Sequence, residues 1–132
     1  RVLVQRHGGP NAELDAGLEK RGAIVTELPT YRWSLPRDCD PLRHLIAELG
    51  QGRVDCVVFT SASQVHNLFA VAAQQDKSEH LRADLGKALV ASIGPVCSEV
   101  LRVAGVAVHV EARPPKLGPL VDALKLVFSP AN

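Results

Sequence analysis

The sequence predicts an α/β protein in which parallel strands form a sheet with helices on both faces. Short apolar runs alternate along the chain with segments whose apolar residues recur at helical spacing. Residues 55–59 include an uninterrupted apolar run, the pattern of a parallel strand that is covered on both faces. The chain has 132 residues, of which 46% are hydrophobic, so it can build a core. Strands that alternate with helices in this way form parallel sheets.

The first part of the chain predicts a strand, a helix and a second strand. Residues 2–5, which begin with three apolar side chains, form the first predicted strand. Asn11 is a candidate N-cap of the helix that follows, and Gly22 stands where a helix commonly ends. Residues 23–28 form the second predicted strand.

Residues 29–41 predict a linker or a crossover between two packed regions. The segment contains three prolines, mixed charges, and the single Tyr and single Trp of the chain. Tyr31 has two interpretations. Its ring could pack on a neighbouring domain, or its phenol could donate a hydrogen bond in a cleft and help a leaving group depart.

The rest of the chain predicts a second, longer alternation of helices and strands. The expected order is a helix over 42–49 ended by Gly50 and Gly52, a strand over 55–59, a helix over 63–74, a short surface helix within 75–87, a strand over 88–93, a helix over 95–104, a strand over 106–110, a loop over 112–118 and a helix over 119–128.

Composition excludes several function classes. The formal net charge is +1 and aromatic residues are few, so neither nucleic acid nor a membrane surface is favoured as a partner. No apolar run approaches the roughly 20 residues that a membrane span needs. Cys39, Cys56 and Cys97 are an odd number without CxxC spacing, which indicates reduced thiols and a cytoplasmic protein.

The start of the chain predicts that it is a fragment of a longer polypeptide. The sequence contains no Met and opens on Arg1, directly before a predicted strand. A fragment cut near an element boundary would not carry a complete function.

Four loops are expected at the carboxyl ends of the strands, where open parallel sheets bind ligands. Each is rich in glycine, proline, or small and hydroxylated residues, so each offers main-chain amides and a helix N-terminus to an anion. The loops are residues 7–11, 60–63, 94–98 and 113–118.

Each loop also has a purely structural interpretation. Ser61 or Ser63 could simply cap a helix, and Gly94-Pro95 could be a tight turn with proline at the first helical position. No nucleotide, metal or hydrolase motif is present. His7 is the one histidine at the mouth of a predicted strand-to-helix loop. Because the sequence contains none of these catalytic motifs, any catalysis would depend on backbone donors that position a reactive substrate.

Several stretches together resemble the second half of the uroporphyrinogen-III synthase family. They are "ELPTYRW" after "LEKRGAIV", then "DCVVFTSASQVHNLF", then "VASIGPVCSEVLRVAGVAVHVEARPPKLGPLVDAL". The combination of FTSxxxVxxLF, IGPxxxxxLxxxG and PxxGxLVxAL is what carries the resemblance. The ending is similar to versions in which a synthase-like region is fused to a winged-helix DNA-binding domain.

The resemblance implies two flavodoxin-like α/β lobes joined by a two-stranded linker. Residues 1–33 would be a βαβ unit of one lobe with its linker, and residues 34–132 would be the main lobe. The family converts the linear tetrapyrrole hydroxymethylbilane to the macrocycle uroporphyrinogen III, expelling a hydroxyl and inverting ring D. It needs no cofactor and no metal. The implied partner is an anionic linear tetrapyrrole.

The resemblance and the loop argument together give candidate site residues. Tyr31 matches a cleft tyrosine that assists hydroxyl departure. Val96 and Cys97 depart from the family pattern, which usually has two threonines there. The candidate substrate-binding residues are His7, Gly8, Thr60, Ser61, Ser63, Gly94, Pro95, Val96, Cys97, Ser98, Lys116 and Gly118.

Three functional hypotheses follow. The first is a fragment of a uroporphyrinogen-III synthase. The second is a ligand-sensing, synthase-like module of a transcriptional regulator without synthase activity, which would reach DNA only through a fused domain. The third is a flavodoxin-like interaction domain without a ligand. The first βαβ unit cannot bury both faces alone, so it is expected to fold back or to exchange with a second copy in a domain-swapped homodimer.

Overall fold

The computed structural model describes residues 1–7, 9–31 and 34–129. The chain forms two compact units, unit 1 (Arg1–Leu35) and unit 2 (Pro36–Asn132). Each has its own sheet.

Unit 1 is a single βαβ element. Strands β1 (Val2–His7) and β2 (Val25–Tyr31) pair in parallel, and helix α1 (Ala12–Glu19) connects them. Asn11 is the N-cap of α1, as predicted, because its side chain accepts a hydrogen bond of 3.1 Å from the amide of Leu14. Gly22 has φ +79°, a left-handed conformation that suits glycine after a helix.

The predicted linker over residues 29–41 is wrong at both ends. β2 continues to Tyr31, and Pro29 pairs with Arg6. Proline is tolerated there because, among the residues that the structure describes, β2 pairs on one side only. At the other end, helix α2 (Asp40–Gly50) begins before residue 42, with Pro41 in its first turn.

Unit 1 leaves one face of its sheet uncovered. Arg6 is 4% exposed on one face, where its guanidinium bonds Asp15 of α1 and Glu27 of β2. Leu3 and Ile24 are each 64% exposed, and side chains alternate between faces along a strand. None of the described residues of α1 is buried. Unit 1 therefore has little apolar core of its own.

Unit 2 is a three-stranded parallel sheet in the order β3-β4-β5, with β3 (Cys56–Phe59), β4 (Leu89–Ser92) and β5 (Val110–Glu111). The parallel sheet and the α/β class are as predicted. The remaining helices are α3 (Ala62–Ala73), α4 (Ser78–Leu85), α5 (Pro95–Val103) and α6 (Leu117–Phe128).

Helices cover both faces of the central strand β4. Ala91 packs with Ala112 and with Leu120 of α6 on one face. Ser92, the next residue, points to the other face and bonds Ser98 of α5. Both Ala91 and Ser92 are fully buried, which accounts for the apolar, two-sided pattern of this strand.

Strand β5 is shorter than the predicted strand over 106–110. The amide of His109 bonds the carbonyl of Val90 at 2.9 Å, but the amide of Val90 donates to Nδ1 of the His109 ring, also at 2.9 Å. The imidazole thus takes the donor that a strand carbonyl would otherwise accept. Helix α4 lies within the segment where a short surface helix is predicted, and it turns Leu81 and Leu85 toward the core.

Across residues 1–7, 9–31 and 34–129, no helix combines the length and the apolar character needed to cross a membrane. Within the same described residues, no group of three or more His, Cys, Asp or Glu side chains is placed to hold a metal ion.

Candidate functional site

Three of the four predicted ligand loops lie along one edge of the unit 2 sheet. We call this edge the carboxyl rim and define it as residues 60–63, 94–98 and 113–118. The strands are parallel, and their pairing continues just past their ends. The amide of Ile93 bonds the carbonyl of Phe59 at 2.9 Å, and that of Ala112 bonds Ser92 at 3.0 Å. The loops after β3, β4 and β5 therefore follow adjacent strands at the same edge.

In the loop between β3 and α3, several polar groups form hydrogen bonds with one another or with the first turn of α3. Ser61 is the N-cap of α3, and its hydroxyl accepts from the amide of Ser63 at 3.2 Å and lies 2.7 Å from the Ser63 hydroxyl. The amide of Thr60 donates to Oε1 of Gln64 at 2.8 Å. The structural interpretation of Ser61 as a cap is confirmed. The side chain of Thr60 remains exposed beside these bonds.

A buried hydroxyl network holds the loop between β4 and α5. The Ser92 hydroxyl donates to the carbonyl of Gly94 at 2.9 Å and accepts from the amide of Gly94 at 3.2 Å. It also accepts from the Ser98 hydroxyl at 3.0 Å. A serine hydroxyl has one donor and two acceptor positions, so Ser92 is fully satisfied. Because Ser92 and Ser98 are completely buried, this network fixes the loop from inside.

The N-terminus of α5 presents main-chain amides at the rim. Pro95 occupies the first turn, and the first helical hydrogen bond joins Ser98 N to the carbonyl of Gly94 at 3.0 Å. The amides of Val96 and Cys97 precede that bond, in the turn where a helix has no carbonyl to offer them. The Val96 side chain is 76% exposed.

The side chain of Cys97 faces the core instead of the rim. It is 2% exposed, and its thiol lies 3.8 Å from the carbonyl oxygen of Phe59. Burial raises the pKa of the Cys97 thiol, so the neutral form is favoured. At position 97 the chain therefore offers only a main-chain amide to the rim. The Ser98 hydroxyl is also turned inward, where it bonds Ser92.

Gly94 allows the loop after β5 to approach α5. A Cβ built on Gly94 would lie 2.6 Å from Cβ of Pro115. The backbone of Gly94 is extended, with φ 166°, so the requirement for glycine comes from space and not from strain. The two loops thus touch at this point of the rim.

The N-terminus of α6 adds a second group of amides. Lys116 is its N-cap, and its first helical bond joins Leu120 N to the carbonyl of Lys116 at 3.2 Å. The amides of Leu117 and Gly118 precede that bond. Lys116 and Gly118 are both exposed, so a cation and a helix N-terminus lie together.

An acidic residue at the end of β5 organises the charges nearby. Glu111 Oε1 lies 3.3 Å from Nη2 of Arg113, and Oε2 lies 3.6 Å from Nη2 of Arg102. The nearby polar side chain of Ser98 is the main cause that lowers the pKa of Glu111, and the charges of Arg113 and Arg102 lower it further. Glu111 and Ser92 are not among the site residues predicted from the sequence, and Arg113 is included only as part of the loop over 113–118; an acid and a cation close after a predicted strand are the signal that could have found them.

The remaining candidates belong to unit 1. The backbones of His7 and Tyr31 lie at the carboxyl ends of β1 and β2 and are partners in the strand register. Gly8 lies outside the described residues. The topology thus brings His7 and Tyr31 to one edge of the unit 1 sheet, as it brings the three loops to the rim of unit 2.

Comparison with known proteins identifies relatives of this architecture. A family model described as "Uroporphyrinogen-III synthase HemD" matches residues 1–122. A protein from Methanothermobacter thermautotrophicus named "Putative uroporphyrinogen-III synthase" is 41% identical over 106 residues, which are 80% of this chain and 41% of that protein. An "Uncharacterized protein YjjA" from Bacillus subtilis is 34% identical over 106 residues, 80% of this chain and 39% of that one.

Solved structures agree with the sequence relatives. The crystal structure of uroporphyrinogen III synthase from the extremely thermophilic bacterium Thermus thermophilus matches with a TM-score of 0.70 at 31% identity, over 96% of this chain and 48% of that chain. This chain thus spans about two fifths of its curated relatives and about half of the solved structure. It belongs to the uroporphyrinogen-III synthase family.

Proposed function

We propose that this chain is part of a protein that binds the linear tetrapyrrole hydroxymethylbilane and closes it to uroporphyrinogen III with inversion of ring D. The observation that carries the proposal is the meeting of two helix N-termini, those of α5 and α6, at one rim in a member of this family. Main-chain amides and the positive end of a helix stabilise carboxylates, and such a tetrapyrrole carries many.

In this proposal the carboxyl rim holds the substrate and does not itself react. Amides of Val96, Cys97 and Gly118 would bind carboxylates, with Lys116 adding charge. Holding a reactive, flexible chain in one conformation removes much of the entropy cost of ring closure. Tyr31 would donate a hydrogen bond to the departing hydroxyl, and no cofactor is required. A cytosolic location belongs to the same proposal.

Two measurements test this function. The 132-residue chain should bind uroporphyrin I, a stable octacarboxylate tetrapyrrole, in a fluorescence titration. A longer polypeptide that contains this chain and reaches the length of its relatives should convert hydroxymethylbilane to the type III isomer, as separated by chromatography. The isolated chain should yield the type I isomer of spontaneous closure. Failure of the chain to bind uroporphyrin I contradicts the proposal, and so does exclusively type I product from the longer polypeptide.

One observation favours an alternative, a ligand-sensing module without synthase activity. Val96 and Cys97 stand where the family resemblance has threonines, and the Cys97 thiol and the Ser98 hydroxyl both face inward. At the start of α5 the rim thus offers main-chain amides, while the thiol and hydroxyl of residues 97 and 98 are turned away from it. Tight binding of uroporphyrin I with only type I product from the longer polypeptide would favour this sensor, which would act on DNA through a fused domain.

The exposed sheet face of unit 1 supports a further proposal about assembly. Leu3, Ile24 and Leu28 are 64%, 64% and 45% exposed, whereas strands of parallel sheets are normally covered on both faces. A domain-swapped homodimer of the isolated chain would cover them. Light scattering should give twice the monomer mass; a monomer at all concentrations, with Leu3→Ser leaving solubility unchanged, would exclude the swap.

A further inference from the structure

The loop after β5 carries a cation whose position is fixed by a neighbouring acid. Arg113 lies two residues after the end of β5 and its side chain is 85% exposed, whereas the Glu111 side chain is 14% exposed. Both Nε and Nη2 of Arg113 lie 3.3 Å from the same oxygen, Oε1 of Glu111. The guanidinium therefore has a preferred orientation although it lies in solvent.

Glu111 is in turn held from its other side. Its second oxygen, Oε2, lies 3.6 Å from Nη2 of Arg102, a residue of α5. The carboxylate is thus tied to α5 on its inner side and to Arg113 on its outer side.

The guanidinium keeps capacity for a ligand. An arginine has five N–H donors in a planar fork, and the contacts to Oε1 of Glu111 use two of its nitrogens on one edge. The remaining donors face solvent at the carboxyl rim. The same loop touches α5 through Pro115 and Gly94, and it ends at Lys116, the N-cap of α6. Arg113 therefore lies on the loop that touches the start of α5 and leads into α6.

We propose that Arg113 binds one carboxylate of the polyacidic ligand and that Glu111 is the positioning residue that holds its guanidinium at the rim. Planar, two-point pairing with a carboxylate is the interaction that arginine makes best. This inference rests on the proposed function and adds to it the residue that recognises a carboxylate. Neither residue belongs to the pattern on which the family resemblance depends.

Substitution of Arg113 tests the contact. We expect Arg113→Gln in the 132-residue chain to weaken uroporphyrin I binding about three- to tenfold, the range for a partly exposed charge-assisted pair. Arg113→Lys should weaken binding by about half as much on a logarithmic scale, since lysine keeps the positive charge and lacks the planar fork of N–H donors. The side chain is exposed, so both variants should fold. Wild-type affinity in Arg113→Gln would overturn the inference and leave the proposed function standing. Absence of binding in the wild type would overturn both.

Substitution of Glu111 separates positioning from simple charge. A carboxylate that acts only through its charge repels an anionic ligand, so its removal would tighten binding. A carboxylate that positions Arg113 has the opposite effect, and we expect Glu111→Gln to weaken binding about two- to threefold. Glu99→Gln is the matched control: Glu99 also pairs with Arg102, at 3.6 Å, and its replacement removes one negative charge without touching the contact to Arg113. If Glu111→Gln tightens binding as Glu99→Gln does, the positioning role is excluded.

Discussion

Replacement of Gly94 by alanine tests the packing that joins two loops of the rim. The added Cβ would lie 2.6 Å from Cβ of Pro115, which is 0.8 Å shorter than the 3.4 Å at which ordinary contact begins. Cβ of proline is held in a ring, and Cα of Pro115 follows at 3.6 Å, so the whole loop has to move. Overpacking of this kind costs about 1–3 kcal/mol, and we expect that loss in the free energy of unfolding.

The stability of the Gly94→Ala variant is measured by urea denaturation. Gly118→Ala is the control at the same rim, because a Cβ there has nothing within 4 Å and lies in the first turn of a helix. It should be neutral or slightly stabilising, since alanine favours helix more than glycine does. Adding Pro115→Gly, which removes the clashing atom, should restore part of the loss in a double-mutant cycle. Equal stability of Gly94→Ala and the wild type would refute the reasoning.

Three further predictions concern other interactions in the two units. Ser92→Ala should lower the free energy of unfolding by about 1–3 kcal/mol, because it leaves buried groups of Gly94 and Ser98 without a hydrogen-bond partner. Ser63→Ala is the control at a half-buried hydroxyl, and it should lower the free energy of unfolding clearly less in the same urea titration. Asn11→Ala should remove the cap of α1 at a cost of about 0.5–2 kcal/mol, and hydrogen exchange should increase in unit 1 and not in unit 2. The folded-state pKa of Glu111 is lowered, so its ionised form stabilises the folded state fully above the ordinary glutamate pKa and loses that effect as pH falls through the lower folded value. The difference in the free energy of unfolding between the wild type and Glu111→Gln should therefore shrink as pH falls. A difference that grows as pH falls would contradict this prediction.

Local sequence signals predicted the elements that depend on nearby residues. Asn11 and Gly22 bound α1 because capping and left-handed glycine act within a few residues. The apolar run at 55–59 predicted a strand, and β3 occupies residues 56–59 of it. Parallel strands place their carboxyl ends together, and on this basis four loops were predicted at such ends; three of them follow the strands of unit 2, and the loop over 7–11 belongs to unit 1.

Features that depend on distant residues could not be predicted in this way. The strand over 106–110 is shortened because the ring of His109 accepts the amide of Val90, nineteen residues earlier in the chain. Pro29 lies in a strand because β2, within the described part of the chain, pairs on one side only, which the local sequence does not reveal. The contact of Glu111 with Arg102 likewise exists only once β5 and α5 are packed together.

The closed hydrogen bonding of Ser92 has a consequence for ligand affinity. Its hydroxyl is saturated within the protein, so the bend at Gly94 already has its final shape before an anion arrives. When a ligand binds to a flexible loop, the entropy lost in ordering the loop weakens the affinity. The bend at Gly94 is already ordered when the chain folds, so this cost does not arise on binding. The affinity of α5 for the proposed carboxylate ligand should therefore change little in variants that loosen distant loops. The same affinity should fall, together with folding stability, when the Ser92 hydroxyl is removed.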